Sequence, residues 1–337
     1  MSRKRAWLGN ILKAVIVLAL MWWMTATGKL SFAQMRVIFD RPDAIFISII
    51  VWLVAPVLLG SWRWWLLIRG AGLDCSYMRA LQLQLIGFFF NTAMPGAVGG
   101  DIVKAIYIVR DQQSKTRKTP AMLTVLLDRI VGLMGLFVMG IVAAVASFDR
   151  LSSATITKQL LAGLIVVVFL SCVFLAVVFI PHKQGQDPVE RLLSMRVPSF
   201  NLLNGIYKAL RAYREKPQIL IGTIALSVVI QLIFMMYMGF IGQVLYGALH
   251  FETALLAPIF PFGTLITAIP LAPGGLGVGH AAFDRLFALV GLPGGANVFN
   301  IYVMSQLALN LLGVIPYLSI RSGIQHVKFE NASDTAS

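Results

Sequence analysis

Four charged residues stand where the surrounding sequence is otherwise apolar. Asp101 and Lys104 follow a Pro-Gly break one helical turn apart, and Asp128 and Arg129 lie about a third of the way into an apolar run. Inside hydrocarbon each such group costs roughly 2.5 to 3.5 kcal/mol on insertion scales, unless it is paired or hydrated. Neighbouring residues on a helix do not face each other, so Asp128 and Arg129 must look elsewhere for partners. Lys104 and Asp101 are the natural ones. Two roles are open to the set: an ion-pair clamp that fixes a broken helix, or a site in which the remaining charge neutralises a ligand.

Glycines supply the second chemical signal. Gly96, Gly99 and Gly100 surround one break, and Gly274, Gly275 and Gly277 surround another. Short glycine turns let free N–H groups at a helix start point at a ligand, where the helix dipole favours an anion. For a lipid that anion is the phosphate. Asn91, Thr92 and Gln84 precede the first break and are placed either to hydrogen-bond a headgroup or to satisfy the interrupted backbone. His280 follows the second break, with Asp284 and Arg285 one turn on. It is either a group titrating near neutral pH or a hydrogen-bonded packing histidine.

Other chemistries find little support. The four histidines show no metal-ligand spacing, and Cys75 and Cys172 give no disulfide framework. There is no Walker motif, so ATP hydrolysis is not expected, nor is any metal or cofactor. The formal charge of +14 raises nucleic acid as a partner. The basic residues flank apolar runs, however, which points to an anionic inner leaflet instead.

The elements carrying these residues must be membrane helices. Apolar residues make up 58% of the chain and charged ones 12%, half the usual share for a soluble protein. Residues 11–28, 44–68, 121–147, 159–180, 219–249 and 298–320 are each long enough to cross a bilayer, and no alternating barrel pattern is present. Arg3, Lys4 and Arg5 before the first run resemble a signal-peptide start, but no small-x-small site follows Gly28, so an uncleaved first helix is expected.

Two further apolar stretches are interrupted. Residues 80–109 contain Pro95 and its glycines, and residues 253–292 contain Pro258, Pro261, Pro270 and Pro273. No continuous helix passes through either. Basic residues flank the first on both sides, so it should enter and leave at the inner face, and the second should do the same from outside. This layout puts most of the 28 basic residues at the inner face. It leaves Lys29, Arg36, Arg41, Arg150 and Lys158 outside, and Arg63, Lys104, Arg129 and Arg285 within apolar segments. Arg63 lies among Trp62, Trp64 and Trp65 and reads as an interfacial anchor.

The breaks also resemble each other, Pro95 aligning with Pro273, Gly96 with Gly274 and Gly99 with Gly277. Paired Gly/Pro breaks of opposite sense point to an inverted repeat with a site near the midplane. The expected fold is therefore an all-α polytopic membrane protein of about six spans and two opposed re-entrant hairpins. Residues 1–328 form one membrane domain, with an amphipathic inner loop at 182–218 and a disordered polar tail at 329–337.

Three stretches resemble the lysylphosphatidylglycerol synthase transmembrane-region family: GFFFNTAMPGAVGGDIVKA at 87–105, DRIVGL at 128–133 and PGGLG at 273–277. Members of that family move aminoacylated phosphatidylglycerol between leaflets, and stand-alone flippase-like proteins belong to it. The charge layout puts both termini in the cytoplasm, and the resemblance implies a multi-pass protein of a bacterial cytoplasmic (inner) membrane that moves a phospholipid or polyprenyl-phosphate lipid. His280 stands where the family carries an acidic residue, so a cationic aminoacyl headgroup is not implied. Nothing but a short tail follows Arg321, so lipid synthesis is not expected. A lipid-carrier-dependent transferase, with Asp101 or His280 as base, and a non-transporting accessory subunit are the alternatives.

Overall fold

The computed structural model of the protein describes residues 35–93, 99–146, 216–268 and 275–319, with Trp22, Thr25, Ala26, Gly163, Ile165, Val166, Phe169, Val173 and Tyr213 as isolated positions. All regular structure among the described residues is helical. The short α1 (Met35–Phe39) leads into α2 (Pro42–Gly70), followed by α3 (Tyr77–Ala93), α4 (Gly99–Arg110) and α5 (Lys115–Ala146). After these come α6 (Pro217–Tyr246), α7 (Phe260–Thr267), α8 (Val278–Leu289) and α9 (Gly295–Ser319).

Four of these are long and apolar enough to cross a bilayer: α2, α6, α9 and the stretch Thr116–Ala143 of α5. They match four of the six expected spans. The other two, at 11–28 and 159–180, fall outside the described residues apart from isolated positions, as do the inner loop at 182–218 apart from its last residues and the tail.

Local chemistry explains the boundaries. Pro42 and Pro217 open α2 and α6, where a missing N–H costs no intrahelical bond. Gly72 and Gly247, at φ 72° and 85°, end them in a backbone region that a side chain would strain. Within α2, Pro56 cannot donate to the preceding turn, and the helix absorbs it in a π-helical stretch, Leu53–Leu59.

α3 and α4 run antiparallel against each other. Arg79 grips Asp111 with both nitrogens of its fork (2.8 and 3.0 Å) at one end. Lys104 donates to Gln84 at 2.6 Å halfway along, and the Gly100 amide donates to Asn91 at 2.8 Å near the turn. The chain thus returns to the end from which it came. α7 and α8 make a second such pair, with Gly263 under the Phe283 ring and Gly279 against Thr267.

The two pairs open toward opposite ends of α6. The open end of α3 and α4 adjoins the last turn of α2, whose Gly70 carbonyl accepts from Lys216 Nζ at 3.0 Å, just before α6 begins. The open end of α7 and α8 leads to Gly294, packed on Tyr246 where α6 finishes. The long helix after each pair also reaches across to the first helix of the other: α5 touches α7, and α9 touches α3. Asn310 of α9 donates to Thr92 Oγ1 at 3.0 Å, and Gly313 lies on the Leu85 backbone.

Packing relies on aromatic side chains and on small residues at crossings. Trp52, Tyr237, Phe260, Phe283, Phe287 and Phe299 are buried in one cluster joining α2, α6, α7, α8 and α9. Trp64, Leu83, Ile86, Ile108 and Val125 join α2 through α5. Gly135 of α5 sits directly against Ser227 of α6, which lets those backbones approach closely. Large apolar side chains such as Phe46, Ile221, Met236 and Ile315 remain exposed, as lipid-facing positions should.

Candidate functional site

Asp128 holds two cations at once. Arg63 Nε donates to its Oδ1 at 2.9 Å, and Lys104 Nζ lies 3.6 Å from its Oδ2. Arg63 extends further to Ser227 Oγ at 3.0 Å, and Lys104 to Gln84. The Lys104 ammonium also stands 4.1 Å above the Trp64 ring, whose Nε1 donates to Thr124 Oγ1 at 3.3 Å. Five helices, α2 to α6, therefore meet at one carboxylate. Arg63, Lys104 and Trp64 each donate to an acceptor here, which helps a poorly hydrated interior to tolerate the charges.

Arg129 takes the other direction. It pairs with Asp101 Oδ2 at the start of α4, on the flank of the Asp128 cluster. Asp128 and Arg129 thus diverge as adjacent helical positions must, and each meets the partner expected from the sequence. Arg63 was misplaced by the sequence: it is no interfacial anchor but the first partner of Asp128, with its side chain 12% exposed. The three flanking tryptophans resemble a membrane-interface belt and masked this role. The available signal was the position of Arg63 within an apolar segment.

The glycines serve close approach. Gly99 and Gly100 are buried, and a Cβ on Gly100 would land on the Gly87 carbonyl. Its N–H is taken by Asn91, so the backbone interruption is satisfied from within. Gly275 and Gly277 have φ of 74° and 79°, and a Cβ on Gly275 would meet Thr267. Gly96 and Gly274, with Pro95 and Pro273, lie outside the described residues.

His280 is fully buried in the α7–α9 half, away from the charges of the α2–α6 half. Its Nδ1 accepts from the Gly277 amide at 3.2 Å, and its Nε2 meets Asn300 Oδ1 at 3.2 Å. An Nδ1 that accepts carries no proton, so the hydrogen belongs to Nε2 and goes to Asn300. The Phe299 edge closes the ring in at 5.0 Å. This is the geometry of a packing histidine that satisfies the glycine turn.

Beside the Asp101–Arg129 pair an apolar groove of about 620 Å³ runs between α4 and α5. Ile102, Ala105, Ile106, Val109, Met122 and Val125 line it, and the pair closes one end. Among the described residues the linked set holds three cations, Arg63, Lys104 and Arg129, and two carboxylates, Asp101 and Asp128, of which Lys104 and Asp128 are buried. The set adjoins this apolar groove. No group of three or more His, Cys, Asp or Glu able to hold a metal ion occurs among the described residues.

Comparison with known proteins agrees with this architecture. Residues 10–315 match the family model described as the lysylphosphatidylglycerol synthase TM region. A UPF0104 membrane protein of Pyrococcus horikoshii is 24% identical over 306 residues, covering 84% of this chain and 86% of the relative. A UPF0104 membrane protein of Methanothermobacter thermautotrophicus is 26% identical over 290 residues, covering 79% and 80%. Both relatives are archaeal.

Proposed function

The chain belongs to the lysylphosphatidylglycerol synthase transmembrane-region family, and from that premise we propose that it moves an anionic lipid between leaflets. The substrate class is a phospholipid or a polyprenyl-phosphate lipid. The observation that carries this reading is the placing of the cation-rich Arg63–Lys104–Asp128 and Asp101–Arg129 set beside the apolar groove. A phosphate forms charge-assisted hydrogen bonds with the half-exposed Arg129 guanidinium, and a chain fills the groove.

The membrane arrangement under this proposal has six spans, two re-entrant hairpins (α3–α4 and α7–α8) and both termini in the cytoplasm. Support comes from the charge at one end of the bundle. Arg69, Arg79, Arg110, Arg117, Lys118 and Lys216 stand at the ends of α2 to α6 that gather there. Positive-inside bias and attraction to an anionic inner leaflet both favour that end in the cytoplasm of a cell's cytoplasmic membrane. The opposed hairpins then give the two halves of an alternating-access carrier.

A transferase is supported less well. Asp101 is held by Arg129 and His280 is bonded through both ring nitrogens, so both candidate bases are engaged. Purified protein in liposomes tests the proposal. Translocation of a fluorescent phosphatidylglycerol should be lost in Arg129→Ala and partly kept in Arg129→Lys. Unchanged transport in Arg129→Ala would remove the central claim, and product formed from a labelled lipid donor would favour the transferase.

A further inference from the structure

The groove between α4 and α5 has a direction. Its polar residues, Asp101 and Arg129, stand at one end only, and the remaining walls are apolar through to Val109 and Met122. Val109 adjoins Arg110 and the Arg79–Asp111 pair, so the apolar end of the groove is the one nearest the basic end of the bundle. From Asp101 to Val109 the helix rises about 12 Å, close to the ~15 Å depth of one leaflet.

The arginine itself distinguishes the closed end. Its side chain is 39% exposed, whereas those of Arg63 and Lys104 are 12% and 4% exposed. A guanidinium that is more than a third exposed, at the mouth of an otherwise apolar groove, is placed to meet an anion arriving at that end. A phosphate beside it forms charge-assisted hydrogen bonds of the strong kind.

We infer that this groove holds one chain of an anionic lipid with the phosphate at Arg129 and the tail directed toward the basic end. The inference rests on the transport reading and adds an orientation to it. A lipid resting in the leaflet at the basic end has its headgroup there and its tail toward the midplane, the reverse of the groove. A lipid from the opposite leaflet, lowered by about half the bilayer, has the polarity the groove presents. With the basic end cytoplasmic, the groove captures its lipid from the outer leaflet.

Photocrosslinking in liposomes tests this with the full-length protein. One phosphatidylglycerol probe carries a diazirine near the glycerol and the other at the chain terminus. The glycerol-proximal probe should label peptides holding Asp101 and Arg129, and the terminal probe those holding Val109 and Met122. Ile106→Trp, which fills the groove, should lower both signals about tenfold, the change produced by losing roughly two methylenes of contact. A reversed map, or labelling spread evenly over other helices, overturns the inference, and the wild-type map alone decides this if the variant fails to fold. Translocation of a fluorescent lipid is measured in parallel. Translocation with a reversed map leaves the transport reading standing and removes the orientation. The expected map without translocation confirms the groove and removes the transport reading.

Discussion

The Arg63 guanidinium meets the Asp128 carboxylate at 2.9 Å across 65 residues of sequence, and the same carboxylate also faces Lys104. One anion thus stands between two cations in an interior with little water. Removing it strands both cations, whereas removing one cation leaves a pair. Asp128→Ala should therefore cost about 3 to 5 kcal/mol, and Arg63→Met distinctly less. Unfolding of the detergent-solubilised variants reads the order. Equal losses would mean that Asp128 is not the centre of the cluster.

Gly100 and Gly222 make a second contrast. Both are helical glycines, but a Cβ on Gly100 would collide with the Gly87 carbonyl, while one on Gly222 would meet nothing within 4 Å. Backbone cannot move aside as the end of a side chain can. Gly100→Ala should destabilise by about 1 to 3 kcal/mol or more. Gly222→Ala should be neutral or stabilise by up to about 1 kcal/mol, the helix propensity difference. Thermal unfolding of the two variants side by side is the check. A tolerated Gly100→Ala would show that α3 and α4 do not cross as closely as described.

Much of this arrangement is legible without coordinates because membrane helices announce themselves by length. The Pro-Gly breaks fall between α3 and α4 and between α7 and α8, and the divergence of Asp128 from Arg129 dictates their partners. Arg63 escaped because partner choice depends on the rotation of α2 about its axis, and a run apolar on nearly every side carries no moment to fix that rotation. The role of Asn91 in closing the Gly100 amide was one of two open readings, since a side-chain amide serves a ligand or a backbone equally well in sequence. The groove was invisible for a related reason. It forms from ordinary apolar residues on two helices, and only their juxtaposition gives it a polar end.

His280 and Arg129 should separate stability from binding. His280 satisfies the Gly277 amide from a fully buried position, so His280→Ala leaves that donor without an acceptor and should cost about 1 to 3 kcal/mol. Its distance from the charged half predicts an unchanged Kd for phosphatidylglycerol. Arg129→Ala should do the opposite, weakening binding with a smaller loss of stability. Lipid binding by native mass spectrometry together with thermal unfolding measures both. A His280→Ala protein that keeps its stability but loses lipid would move the site to the second hairpin.

Thiol chemistry can fix the orientation of the bundle. Ser114 lies in the α4–α5 connection at the basic end, and Leu249, 98% exposed, lies past the far end of α6. Cysteines at these positions should label with a membrane-impermeant maleimide from opposite sides, Leu249→Cys from outside and Ser114→Cys only after permeabilisation. Leu249 suits this better than Gly294, whose positive φ and contact with Tyr246 would strain a side chain. Native Cys75 should stay quiet, because burial, aided by the nearby Asp111 charge, pushes its thiol up to about 11. At pH 8 only about one molecule in a thousand would then carry the reactive thiolate, and its labelling should climb as pH rises toward that value. With Cys172 replaced by serine, labelling of both engineered positions from the same side would refute the opposed-hairpin topology, whatever becomes of the lipid.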